Sequence, residues 1–207
     1  MAFIRKADRS NPFYNNNMLF SFKINKMNVL LFLLPLLFTA CKKSSSDLAT
    51  STTPVSTLVA FSTAFTNNGT FPKLYTCDSA GISPAISWKD APAGTNAYAI
   101  TMHTVPPTGA NHVYICLYNL SAAVSNIPDA VSGIGTFGIN TVDGKMSYTP
   151  PCSQGPGPKI YVITVYALSK QPVITAAANA VTMDVFLSAM STITLGTSTL
   201  TVTYTRS

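Results

Sequence analysis

From about residue 57 onward, runs rich in Val, Ile, Thr and Tyr are broken by Pro, Gly, Asn or Asp roughly every ten to fifteen residues. β-branched and aromatic residues suit a pleated, half-buried surface, and the breakers end it, so the pattern restricts this region to a mainly β fold. Strands are predicted over 57–64, 85–88, 97–104, 113–120, 160–168 and 192–205, and their separation makes most of the pairing non-local. One helix is expected from about Ala176 to Met190, where Val181, Val185 and the stretch 187–190 give an apolar face, and a short turn over 129–132.

The period of two in an extended chain sorts side chains by face. In "AYAITMH", Ala97, Ala99, Thr101 and His103 share one side and Tyr98, Ile100 and Met102 the other. His112 opens the next strand, so antiparallel neighbours would bring His103 and His112, the chain's two histidines, to one sheet end. Into the strand over 160–168 leads "TPPCSQGPGP", in which four prolines fix φ and glycines allow tight reversals, a loop that loses little entropy on ordering. It delivers Lys159 and, two residues on and on the same face, Tyr161. A cation and a phenol beside two imidazoles can form a pocket for a small anion.

At the amino end, Lys23 and Lys26 precede the apolar run "VLLFLLPLLF", followed by Thr39, Ala40 and Cys41. The run is too short for a ~30 Å hydrocarbon core and contains Pro35, so residues 1–40 are expected to be an export signal, with a true start at Met1, Met18 or Met27. "LLFTAC" is similar to a bacterial lipobox, which implies cleavage before Cys41 and acylation of its thiol. The Ser/Thr-rich segment 41–57 then acts as a tether reaching up to ~60 Å, and the folded domain occupies 58–207. The protein would be an exported lipoprotein of a bacterial envelope, on its periplasmic or surface face.

The whole chain carries a net charge of +6, but five of its thirteen Lys and Arg precede Cys41. Residues 42–207 hold eight basic and six acidic side chains, a net +2, which argues against nucleic acid as a partner. Glutamate is absent, and the aspartates are scattered, so paired-carboxylate catalysis has few candidates. No G-x-S-x-G elbow is present and no carboxylate is placed to orient a histidine, so a non-enzymatic role is expected. No fourth ligand joins His103, His112 and Cys116, so neither a metal nor another cofactor is expected. Of the three later cysteines, Cys116 lies in an apolar run suited to burial, while Cys77 and Cys152 lie in polar loops. In an oxidising compartment that pair can be bonded or free.

The ordered segments "LYTCDSAGISPAISW", "HVYICLYNL", "GINTVDGKMSYTPPC", "GPGPKIYVITVYAL" and "TVTYTR" resemble the phosphatidylethanolamine-binding protein family, specifically its bacterial Raf-kinase-inhibitor-like branch. The resemblance covers about 65–206. It implies a large central antiparallel-rich sheet, a smaller second sheet and a few short helices. It also implies a shallow pocket at one sheet end for phosphate or a phospholipid-headgroup-like anion. By correspondence His112 is the pocket histidine, Pro150, Pro151 and Cys152 the rim, Tyr161 and Tyr204 its aromatics, and Asp78, Ser83, Pro84 and Trp88 the buttress. The departures change the chemistry. His103 and Val105 stand where the family has aspartates, Lys159 where it has histidine, and Ile160 where it has arginine.

These readings describe an envelope binding module with an anion pocket, the ligand set being His103, His112, Pro150, Pro151, Cys152, Lys159, Tyr161 and Tyr204. The alternative is a lipid-anchored β scaffold or protein-interaction domain whose pocket has decayed. Native intact-mass spectrometry of the exported protein is expected to show a chain lacking residues 1–40 and carrying acyl groups at Cys41; an unmodified amino terminus near Ala40 would remove the lipoprotein assignment.

Overall fold

A computed structural model describes residues 57–106 and 108–206. The signal segment, Cys41 and nearly all of the tether lie outside the described residues. Among the described residues nine strands form two sheets, and no helix is long and apolar enough to cross a membrane.

The larger sheet has the order β2-β9-β8-β4-β5-β7, built from β2 (Gly69–Thr70), β9 (Thr194–Tyr204), β8 (Lys159–Leu168), β4 (Ala97–Thr104), β5 (Val113–Ser121) and β7 (Thr136–Phe137). All neighbours in it are antiparallel except β2 and β9. The smaller antiparallel sheet has the order β1-β3-β6, from β1 (Val59–Phe61), β3 (Ile86–Lys89) and β6 (Asn126–Ile127). The fold is the expected one: mainly β, a large antiparallel-rich sheet, a second small sheet and short helical turns.

Both faces of the large sheet are covered, which explains why β4 reads as a nearly continuous buried run. Tyr98, Ile100 and Met102 face the small sheet, where they join Trp88, Ile86 and Ile127 in one core. Trp88 is 2% exposed and packs its ring 5.0 Å from that of Tyr98. Ala97 and Ala99 face the other way, onto a second core with Cys116, Tyr118, Phe186 and Met190. Small residues on that side of β4 leave room for the rings opposite.

The second core is closed by α1 (Met183–Met190), which is shorter than the helix expected from Ala176. Thr182 is extended and its hydroxyl accepts from the Val185 N–H, a side-chain cap that starts the helix there. The preceding alanine-rich stretch holds only a 3-10 turn at Ala178–Ala180. The first and last predicted strands contract, from 57–64 to three residues and from 192–205 to Thr194–Tyr204, while the strand predicted over 97–104 is found with those bounds and the other three differ by one residue at one or both ends. The two-residue strands β2, β6 and β7 were not anticipated, since two residues have no periodicity and pair only because larger strands hold them in place.

Cys77 is bonded to Cys152 across 75 residues, and Cys116 is a buried free thiol. The bond ties the turn after Lys73–Tyr75 to the proline-rich loop, reinforced by the Cys77 N–H donating to the Pro151 carbonyl at 3.0 Å. A loop of that length corresponds to about 4 kcal/mol in the chain-entropy treatment. Replacing both cysteines by alanine is therefore expected to lower the unfolding free energy by roughly 2–5 kcal/mol in urea titration; an unchanged midpoint would show that the bond adds nothing in solution.

Candidate functional site

Register gathers one end of the large sheet into a cavity of about 580 Å³. Thr104 is the cross-strand partner of Tyr161 on one side, and its N–H donates to the His112 carbonyl on the other at 2.9 Å. Directly opposed residues share a face, so Thr104, Tyr161 and His112 point the same way. Lys159, two residues before Tyr161, joins them in the wall.

Between His112 and the core, β5 carries an extra residue. Met102 pairs with Ile115 and His103 with Val113, leaving Tyr114 as a bulge. Its ring packs 5.5 Å from that of Tyr161, and Tyr161 in turn lies 5.9 Å from Phe71, forming an aromatic floor backed by the main core. Burial pushes both phenols above their ordinary pKa, strongly for Tyr114, where the neighbouring Tyr161 adds to the effect. Both therefore remain protonated donors near neutral pH.

The opposite wall comes from the proline-rich loop, through Cys152, Ser153, Gln154 and Pro158. Its placement starts at Asn140, which is 1% exposed and heavily hydrogen-bonded. The side-chain NH2 shares its two hydrogens among Asp143 Oδ1, the Lys145 and Ser147 carbonyls and Thr149 Oγ1, and Oδ1 accepts from the Val142 and Asp143 N–H groups. The donation from Asn140 also holds the Asp143 carboxyl well below the usual carboxylate range, with Lys145 adding to it. So folded, the loop crosses the end of β5, where the Thr149 N–H donates to the Tyr114 carbonyl at 3.0 Å. Three residues on, the disulfide fixes Cys152.

Of the residues expected at a pocket, the structure brings His112, Cys152, Lys159 and Tyr161 into this cavity. Pro150 and Pro151 lie behind the wall. Pro150 packs over Gly81, whose positive φ of 64° and close approach leave little room for a side chain, and Pro151 is buried. Tyr204 donates to Asp78 Oδ2 at 2.8 Å, in a cluster where Arg206 Nε also donates to Asp78, and does not line the cavity. His103 reaches the same sheet end but the other face, because its partners are Val113 and Val162. Burial holds its imidazole below the ordinary pKa, and Nδ1 has no hydrogen-bond partner.

Sequence reasoning missed Tyr114, Ser153, Thr104 and Pro106 as wall residues and treated Val105 and Ile160 only as altered positions. The signal for Tyr114 was present, since it sits two residues after His112 and so on the same face of an extended strand. For Ser153 there was none, as a loop has no period.

The chemistry of the wall is one-sided. Lys159 and His112 supply a cation and an imidazole; Tyr161, Tyr114, Ser153 and Thr104 supply hydroxyls; no carboxylate takes part. Tyr161 Oη and Ser153 Oγ are buried with no hydrogen-bond partner. The two hydroxyls are close enough for Ser153 to oppose the rise in the phenol's pKa, but their geometry falls short of a hydrogen bond. A second depression of about 460 Å³, between Gly81, Val131 and Tyr148, has no Lys, Arg or His in its wall. Among the described residues, no group of three His, Cys, Asp or Glu could hold a metal ion.

A two-sheet β domain with a helix over one face and a cleft at its strand ends defines a known class. A sequence model described as phosphatidylethanolamine-binding protein matches residues 61–205, and the chain belongs to that family. It is 33% identical over 149 residues to a UPF0098 protein of Chlamydia muridarum, covering 69% of this chain and 95% of that one. With a UPF0098 protein of Aquifex aeolicus it shares 34% identity over 116 residues, 53% of this chain and 67% of the other. A solved structure from Chlamydia trachomatis, described as a phosphatidylethanolamine-binding protein homologue, superposes with a TM-score of 0.66 at 28% identity, over 74% of this chain and all of that one. The Escherichia coli protein YBCL, at 18% identity and a TM-score of 0.65 over 72% of this chain and 99% of its own, shares the fold.

A buried hydroxyl without a partner costs roughly 1–3 kcal/mol, so the Tyr161 oxygen is a test of how the floor is built. Tyr161→Phe is expected to leave the unfolding free energy unchanged or to raise it by about 1 kcal/mol; a comparable loss would mean that the phenol is paired in the empty protein in solution.

Proposed function

We propose that the strand-end cavity is a binding site for a small anion, a phosphate or a phospholipid-headgroup-like group, in a non-enzymatic module tethered to a bacterial envelope through Cys41. The observation that carries this reading is the presence of donors without acid in one cavity: Lys159, His112, Tyr161 and Ser153, with no carboxylate among the lining residues. Charge-assisted hydrogen bonds from such donors are the usual means of holding an anion, and hydroxyls already buried without partners have desolvation behind them. Membership of a family whose name refers to a phosphorylated lipid headgroup supports the same reading.

A catalytic reading has less support, because among the described residues neither His112 nor Lys159 is paired with a carboxylate, and Ser153 Oγ has no partner to serve as its base. Cys152 carries no free thiol for nucleophilic work, being bonded to Cys77.

Isothermal titration with phosphate, acetate and phosphoethanolamine tests the site. Wild-type protein is expected to give saturable heat with at least one of them, and Lys159→Ala to weaken that anion about tenfold, the low end for one charge-assisted contact at a part-exposed group. No heat with any of the three would overturn the reading and leave the scaffold alternative.

A further inference from the structure

We propose, building on the anion-site reading, that the cavity selects an anionic group carried on an uncharged apolar body, an aryl or short alkyl phosphate or carboxylate, and disfavours a zwitterion. The first ground is size. A volume of about 580 Å³ lies within the ~300–1,000 Å³ of pockets that enclose whole organic ligands, and an inorganic oxyanion would leave most of it unfilled.

The second ground is the distribution of polarity. Donors occur at Lys159, His112, Ser153 and Tyr161, while Pro106 and Pro158 give the same lining an apolar part. Two prolines in the lining offer an apolar surface that gains from being covered. The ring of Tyr114 continues the apolar surface inward.

The third ground is the missing counter-charge. A zwitterion brings an ammonium within a few ångströms of its anion, and this wall has no carboxylate to receive it. Asp78, the acid associated with the Cys77 to Cys152 bridge region, is already engaged by Arg206 Nε and the Tyr204 hydroxyl, both at 2.8 Å. An ammonium would lose water without a partner and meet the Lys159 charge, both unfavourable.

The test is isothermal titration of the purified chain at one pH with inorganic phosphate, phosphoethanolamine, phenyl phosphate and hexyl phosphate. Phenyl or hexyl phosphate is expected to bind roughly tenfold or more tightly than inorganic phosphate, as covering a ring or chain by apolar walls supplies. Phosphoethanolamine is expected to bind no better than inorganic phosphate, and the order of phenyl and hexyl reports whether the body is aromatic or alkyl.

Equal affinity for phosphate and both apolar esters, or phosphoethanolamine binding most tightly, would overturn the proposal while leaving the anion site intact. Absence of binding by all four would overturn the anion site itself.

Discussion

The placement of β8 between β4 and β9 governs everything else in the domain. Pairing runs without a break from Ala97 with Leu168 to Thr104 with Tyr161 on one side, and from Lys159 with Tyr204 toward Ala167 with Gly196 on the other. Because side chains alternate, a slip of one residue would turn Tyr161 and Ile163 out of the main core and carry Lys159 to the face covered by α1. Two unlike burials oppose that slip. The small-sheet side takes Tyr98, Ile100 and Met102 of β4 with Tyr161, Ile163 and Val165 of β8, whereas the helix side takes Ala97 and Ala99 of β4 with Tyr166 and Leu168 of β8 beneath Phe186. The same register that satisfies the cores therefore fixes which end of the sheet carries a cation and a phenol.

The loop wall has a separate origin. Nothing in the ladder specifies where Ser153 lies, yet it is buried beside the floor. Three local constraints act in series: the Asn140 network folds 140–149, the Thr149 N–H attaches that fold to the β5 bulge, and the disulfide anchors the next segment to the turn at Lys73–Tyr75. Tyr148 adds a further tie by donating to the Tyr75 carbonyl at 2.6 Å. Prolines at 150 and 151 stiffen the segment between the last two constraints without entering the cavity. A wall held in this way has little ordering entropy left to lose when a ligand arrives.

How much of this could be read from residues alone depends on which interactions are periodic. Long strands, the face division of β4 and the identity of Lys159 and Tyr161 as neighbours on one face are consequences of a period of two, and all were legible. So was the strand-end meeting of His103 and His112. Their separation onto opposite faces was not, because it depends on the cross-strand partner of each, and the bulge at Tyr114 shifts that pairing by one. Tyr204 illustrates the other limit: alignment with a family aromatic located it, but only the fold shows its hydroxyl committed to Asp78. The start of α1 was hidden for a third reason, since alanine has a high helix propensity and the cap at Thr182 overrides it locally.

Unsatisfied polar atoms point back to the same end of the sheet. Among the described residues, four buried side-chain atoms lack partners: Trp88 Nε1, His103 Nδ1, Ser153 Oγ and Tyr161 Oη. Two of the four, Ser153 Oγ and Tyr161 Oη, line one cavity. Burying a hydroxyl unpaired costs of order 1–3 kcal/mol, so the fold gains no hydrogen bond from either in its empty state. A ligand oxygen accepting from both would recover that cost on binding, and would do so beside Lys159 without displacing an existing partner. On the anion-site reading, the energetic weakness of the floor and the affinity of the site are thus the same two hydroxyl groups, while the core residues behind them carry the stability.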